Sequence, residues 1–289
     1  MHQETELIVR AIESLRQEPS YFKDYIFPIA SAFFTSLLGG VIAYFTLRHQ
    51  ENIQIEKEKM NSANKWILLA EEARSKLLAI KENYHGKLTD NPMQRVAVIP
   101  SILLQAEPIR ESIQDLSFIV PTADKNLSEC PKWGHILRIR IMIDNYNYLL
   151  KLWDQRNEII QPIKEQLLSH YPERAYVNLP KEDVKISIGA SQLSNLIDMT
   201  ERIVKLMDDV LIELDDFLSE FPKYAKGKIN LKQLKKYGSV LTCSTNGNKK
   251  LLALLERTPS ANFETVKDLF GMSPEELNKR YSSGYIQEP

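Results

Sequence analysis

The chain is predicted to be all-α. A single N-terminal transmembrane helix continues into a stalk and an antiparallel, up-down-up-down helical bundle, and a small helical C-terminal piece follows. Three observations lead there. Residues 25–47 form a run of 23 residues without one charged side chain. Several later segments repeat apolar residues at three- and four-residue spacing, the period of a helix face. Glycine is scarce, at 10 of 289 residues, while Leu, Ile, Glu, Lys and Gln fill the long segments and favour helix.

Residues 1–24 form a short amphipathic segment. Leu7, Ile8, Ala11, Ile12 and Leu15 make one stripe, and Pro19 closes it. Its charge is mostly acidic, unlike a helix that seeks lipid. The uncharged run 25–47 comes next. At 1.5 Å per residue it reaches roughly 34 Å, against a hydrocarbon core of about 30 Å. Lys23 and Asp24 bound it on one side, Arg48 and His49 on the other. Tyr21, Phe22 and Tyr25 at one end, with Tyr44 and Phe45 at the other, fall where aromatic rings favour the membrane interface. A cleaved signal peptide fits less well, because the run is too long and lacks an A-x-A exit. Within it Ala32, Ser36 and Gly40 recur every fourth residue, and Gly39 and Ala43 form a second such pair. Small residues at this spacing let two backbones approach, so the span is expected to self-associate.

Residues 48–222 are read as stalk and bundle. Neither Pro nor Gly interrupts 48–85. Its first part, RHQENIQIEKEKMN, reads as a solvated stalk of roughly 20 Å. Ala63, Ile67, Ala70, Leu77, Ile80 and Tyr84 then mark a packed face. Ile102, Ile109, Ile113, Leu116 and Ile119 predict a second helix from about Ser101, kinked near Pro108. PTADKNLSECP, 121–131, reads as a loop; the Asn126-Leu-Ser128 sequon inside it is a single short match. Over 132–170, Ile136, Ile139, Ile143, Tyr146, Leu150, Trp153, Asn157 and Ile160 keep a seam, with Asn157 a candidate register-fixing amide. Residues 171–187 read as a connection. Over 189–221, Leu193, Ile197, Thr200, Val204, Met207, Leu211, Leu214, Leu218 and Phe221 hold the clearest rhythm in the chain. Its other face carries Asp198, Glu201, Asp208, Asp209, Glu213, Asp215, Asp216 and Glu220, and is expected to be hydrated.

Residues 223–248 are a basic segment and linker. Lys223, Lys226, Lys228, Lys232, Lys235 and Lys236 occur there without an acid up to Lys236, and are expected to meet anionic lipid or the acidic helix face. Residues 249–289 read as a small helical module. Helices are expected over Lys249–Arg257, Phe263–Phe270 and Pro274–Tyr281, the last opened by Ser273-Pro-Glu-Glu276 as cap, first-turn proline and capping-box acid.

Composition and motifs exclude more than they identify. Net charge is −1, which gives no basic footprint for nucleic acid. Two cysteines, Cys130 and Cys243, cannot make a disulfide scaffold and suit a reducing compartment. The five histidines have no metal spacing among them, and neither a phosphate-binding glycine loop nor a G-x-S-x-G elbow occurs. The R-x4-6-H signature of HEPN-type ribonucleases is also missing. Neither cofactor, metal nor catalytic residue is therefore expected. The expected protein is a non-enzymatic, membrane-anchored interaction, scaffold or sensor module. Its partners are the lipid bilayer, a protein partner and a second copy of itself. It sits in the cell (inner) membrane with its body on the cytoplasmic side. In outline the architecture resembles small bacterial membrane effectors of anti-phage defence. That resemblance implies a second function, a pore or membrane lesion triggered through the soluble body.

Overall fold

The computed structural model describes residues 2–15, 21–103, 105–121, 130–170, 181–243 and 248–282. Among these the chain is helical, with no strand. It divides into two units, Met1–Ile55 and Glu56–Pro289.

The first unit holds α1 (His2–Leu15), a wide turn at Phe22–Ile26 and the opening half of α2 (Phe27–Glu82). Helix α2 runs 56 residues without a break. Its apolar half is long and apolar enough to cross a membrane: the best 18-residue stretch has a mean hydropathy of 1.9 and none of it is buried. Hydroxyl groups there turn back on their own helix. Ser31 Oγ donates to the Pro28 carbonyl at 3.0 Å, and Thr35 Oγ1 to the Ser31 carbonyl at 2.7 Å. Such bonds meet polar demands inside the segment, which an apolar solvent requires.

The second unit contains the rest of α2 with α3 (Pro92–Val98), α4 (Ile136–His170), α5 (Lys181–Ile188), α6 (Ala190–Lys226), α7 (Lys249–Leu255), α8 (Lys267–Phe270) and α9 (Pro274–Arg280). Its axis is α6. From Leu196 to Leu218 only Arg202 is exposed. All nine seam residues from Leu193 to Phe221 are buried, and each large apolar side chain buried this way contributes roughly 1.5–3 kcal/mol. Arg74 of α2 meets Asp215 and Lys81 meets Asp208, so α2 runs against α6. Trp133 packs on Phe217 while Arg156 bonds Thr200, so α4 also runs against α6. Gly134 is fixed by that packing: a Cβ there would lie 2.4 Å from Cys130 Sγ and 2.7 Å from Tyr224 Oη. Gly189, at φ +82, makes the turn between α5 and α6 in a conformation that favours glycine.

Several expectations are corrected. The helix expected from Ser101 does not form. After α3 the chain runs extended, and only a 3-10 turn at Ile113–Ile119 follows. Two prolines, at 100 and 108, remove donors from this stretch, and two asparagines of α4 supply its bonds instead. Asn157 accepts from Ile102 N at 3.2 Å and donates to Ile102 O at 2.7 Å. Asn147 does the same to Ile109, at 2.8 and 2.9 Å. A third asparagine, Asn64 of α2, donates to Ser239 O at 3.1 Å and accepts from Leu241 N at 2.8 Å. Each side-chain amide thus stands in for the backbone of a neighbouring strand.

The stalk is shorter than expected. Glu56 already accepts from Asn230 N at 2.6 Å, and Lys57 lies over the Tyr237 ring at 3.9 Å, so residues 230–241 cover α2 from Glu56 onward. The connection 171–187 contains α5 from Lys181 on; its residues 171–180, like the sequon, lie outside the described residues. The C-terminal segment packs on the body. Phe263, Val266 and Leu277 share a core with Leu193, Ile197 and Val96. Ser273 and Glu276 form the reciprocal capping box at the start of α9.

Candidate functional site

Half of the acidic face of α6 is not hydrated: of its eight acids four are buried, Asp198, Asp215 and Asp216 are half-buried, and Glu220 is exposed as expected. Glu201, Asp208, Asp209 and Glu213 are each 3–4 % exposed. A buried carboxylate needs a cation and hydrogen bonds to remain charged, and each finds its cation on a different element. Arg95 of α3 meets Glu201 at 2.9 Å. Lys81 of α2 meets Asp208 at 2.7 Å. Arg257, just past α7, meets Asp209 at 2.6 Å. Arg138 and Lys132 meet Glu213 at 2.8 and 3.0 Å. At the rim Asp198 receives Arg280, Arg202 and the Tyr281 hydroxyl. The acid excess of α6 is therefore balanced by the elements packed round it.

The same region opens into a cleft of about 810 Å³ between α6 and residues 257–263 and 278–282. Arg95, Glu201 and Asp208 form its floor, with Val204, Ala261 and Phe263 as the apolar wall. Phe263 stacks on Tyr281, ring centroids 4.9 Å apart. Asp208 is fully engaged: besides Lys81 it accepts from Thr258 N at 2.7 Å and from Thr258 Oγ1 at 3.3 Å. All three guanidinium nitrogens of Arg95 are engaged as well, by Thr89 O, Glu201 and Pro259 O. Glu201 is not. Its Oε2 takes the Arg95 bond, while its buried Oε1 has no hydrogen-bond partner among the described residues. Burial raises the Glu201 carboxyl to about 6 against the opposing pull of Arg95.

Behind the floor lies a second cation without a carboxylate. Arg156 is wholly buried and donates to Thr200 Oγ1 at 3.1 Å, to Pro100 O and Val96 O at 3.2 Å and to Ile99 O at 2.9 Å. Those carbonyls end α3, where the helix dipole is negative and orphan acceptors need donors. Burial lowers the guanidinium to about 10. Next to it Tyr84 is fully buried, its hydroxyl unpartnered among the described residues, and desolvation followed by the Asp208 charge raises its pKa.

The small residues of the span, Ala32, Ser36, Gly39, Gly40 and Ala43, are all exposed along α2. Ser36 and Gly40 floor a shallow groove walled by Phe33, Leu37 and Tyr44. A Cβ at Gly39 or Gly40 would meet nothing within 4 Å. The six lysines end up apart from the buried acids. Lys223 pairs with Glu220 at 2.6 Å on the last turns of α6. Lys228 lies 5.3 Å over the Tyr224 ring. Lys232, Lys235 and Lys236 are exposed, and with Lys226 they make no ion pair among the described residues. No group of His, Cys, Asp or Glu among the described residues could hold a metal ion.

The acidic run was visible in the sequence; its burial was not. The signal for it lay in an isolated cation on an apolar seam, Lys81 beside Leu77, Ile80 and Tyr84. No family model, no curated protein and no solved structure matches this chain.

Proposed function

We propose that the chain is a non-enzymatic single-pass membrane protein. Residues 25–47 anchor it in the cell (inner) membrane, and its helical body acts in the cytoplasm as an interaction, scaffold or sensor module. One observation carries this reading. Phe33, Phe34, Leu37, Leu38 and Ile42 are 54–65 % exposed along one helix. A contiguous apolar surface of this kind is unstable in water and stable in lipid. The free thiols of Cys130 and Cys243 accord with a reducing compartment. The groove over Ser36 and Gly40 is the surface on which a second copy of the span packs. Residues 230–241 lie along the first body turns of α2, and the unpaired lysines beside them face anionic headgroups, each worth about 1 kcal/mol near the surface.

The test is fractionation. The full chain is expected in the membrane pellet after alkaline carbonate washing and in the supernatant only with detergent. Recovery in the detergent-free supernatant overturns the anchor. Membrane depolarisation on expression would instead support the pore-forming reading, against which the uncharged span argues, since conducting pores are lined by polar groups.

A further inference from the structure

The cleft beside α6 has the chemistry of a ligand site, and the inference stands apart from the membrane anchor. Its volume of about 810 Å³ falls in the range of small-molecule sites, roughly 300–1,000 Å³. On its floor each guanidinium nitrogen of Arg95 and both carboxylate oxygens of Asp208 already bond to protein. The one deep polar atom left over is an acceptor, Glu201 Oε1. An unmet acceptor buried at 4 % residue exposure is unfavourable, and a donor that reaches it relieves that cost. A phosphate, a carboxylate or a bare carbonyl brings only further acceptors and leaves Glu201 Oε1 unmet. The wall is apolar and partly aromatic, through Val204, Ala261 and the stacked Phe263–Tyr281 pair, and suits a flat ring.

We propose that this cleft binds a small planar molecule that presents an N–H donor to Glu201 Oε1, with its ring against Val204 and Phe263. Aryl amidines, aminopyrimidines and aminopurines belong to this class. One wall comes from residues 257–263 and the floor from α3 and α6, so the ligand bridges the C-terminal segment to the body. Occupancy is then read out as tighter docking of that segment, which gives a sensor module its input.

Benzamidine is the probe and benzoate its acceptor-only match, both titrated into the full chain in detergent micelles. Benzamidine is expected to raise the unfolding temperature saturably and to slow amide hydrogen exchange over residues 257–263; benzoate is expected to do neither. Glu201→Gln, which exchanges a charged acceptor for a neutral amide, weakens the benzamidine response about tenfold or more. Ser260→Trp, an exposed position at the cleft, leaves the carboxyl in place and abolishes the response by filling the space. If Glu201→Gln does not fold, Ser260→Trp decides alone. An absent or unsaturable response to benzamidine overturns the site, as does an equal response to benzoate or an undiminished one in Ser260→Trp.

Discussion

Glu201 sits at a balance point. Its partner Arg95 favours the carboxylate, and burial favours the acid more strongly, so the group titrates near 6 instead of 4.5. A raised folded pKa means that the native state holds a proton the unfolded state has already lost. Stability therefore falls as pH rises between 4.5 and about 6, by about 2 kcal/mol for this one group. Glu201→Gln removes the titration while keeping an acceptor for Arg95. Denaturant unfolding well below pH 4.5 and well above pH 6 is expected to show the wild type losing about 2 kcal/mol relative to the variant across that range. Parallel curves would mean that the carboxyl is better solvated than its burial implies. None of this was legible in the sequence, where Glu201 is one acid among eight on a helix with an apparently free face. What decides its fate is Arg95, which is 106 positions away.

At the scale of elements, the long helices were legible and the segment between them was not. The 3–4 rhythm over 189–221 became α6, and the seam over 136–160 became α4, because one apolar stripe per helix is what a helix must bury. The spacing of Ile102, Ile109, Ile113 and Leu116 gave the same signal over 101–119 and misled. That stretch buries Ile102 and half-buries Ile109 without forming a helix, since Asn157 and Asn147 bond their backbone from α4. A partner 55 positions away does not appear in any local window. Asn157 was read as a seam amide, which it is, although what it pins is the extended chain and not another helix. Asn157→Ala leaves Ile102 N and O without partners in a half-buried site and is expected to cost roughly 1–3 kcal/mol. The check is hydrogen exchange: amides over 101–110 should exchange faster while those of α6 between 196 and 218 keep their order of protection. Equal acceleration in both would show that the segment and the axis unfold as one unit.

For the molecule as a whole, the two units pose opposite problems. The unit up to Ile55 offers an apolar surface with no charge over 25–47, whereas the other hides charge in its centre. The first was readable from composition to the extent that 23 uncharged residues became a helix long and apolar enough to cross a membrane. The second needed three dimensions, because pairing across α2, α3, α4, α6 and the segment after α7 is a property of the closed fold. Self-association is the prediction at this scale. Gly40→Ile places a branched side chain in the groove over Ser36, where nothing of the chain itself lies within 4 Å to be disturbed. Sizing in detergent is expected to show the wild type as an oligomer and Gly40→Ile shifted to monomer; an unchanged oligomer removes the small-residue strip as the contact.

The pairing of Lys81 with both Asp208 and the Glu256 carbonyl has a consequence for biosynthesis. Lys81 and the residue that supplies this carbonyl are 175 positions apart in the chain. At roughly 5–20 residues per second, a ribosome that has made Lys81 needs on the order of 10–35 s to deliver the carbonyl that completes its surroundings. During that interval α2 has emerged and its greasy half is ready for the insertion machinery, while the ammonium at its far end waits in water. If residues 25–47 insert as proposed, targeting of the nascent chain precedes completion of its charged interior, and a chaperone that shields the half-made body has that interval in which to act.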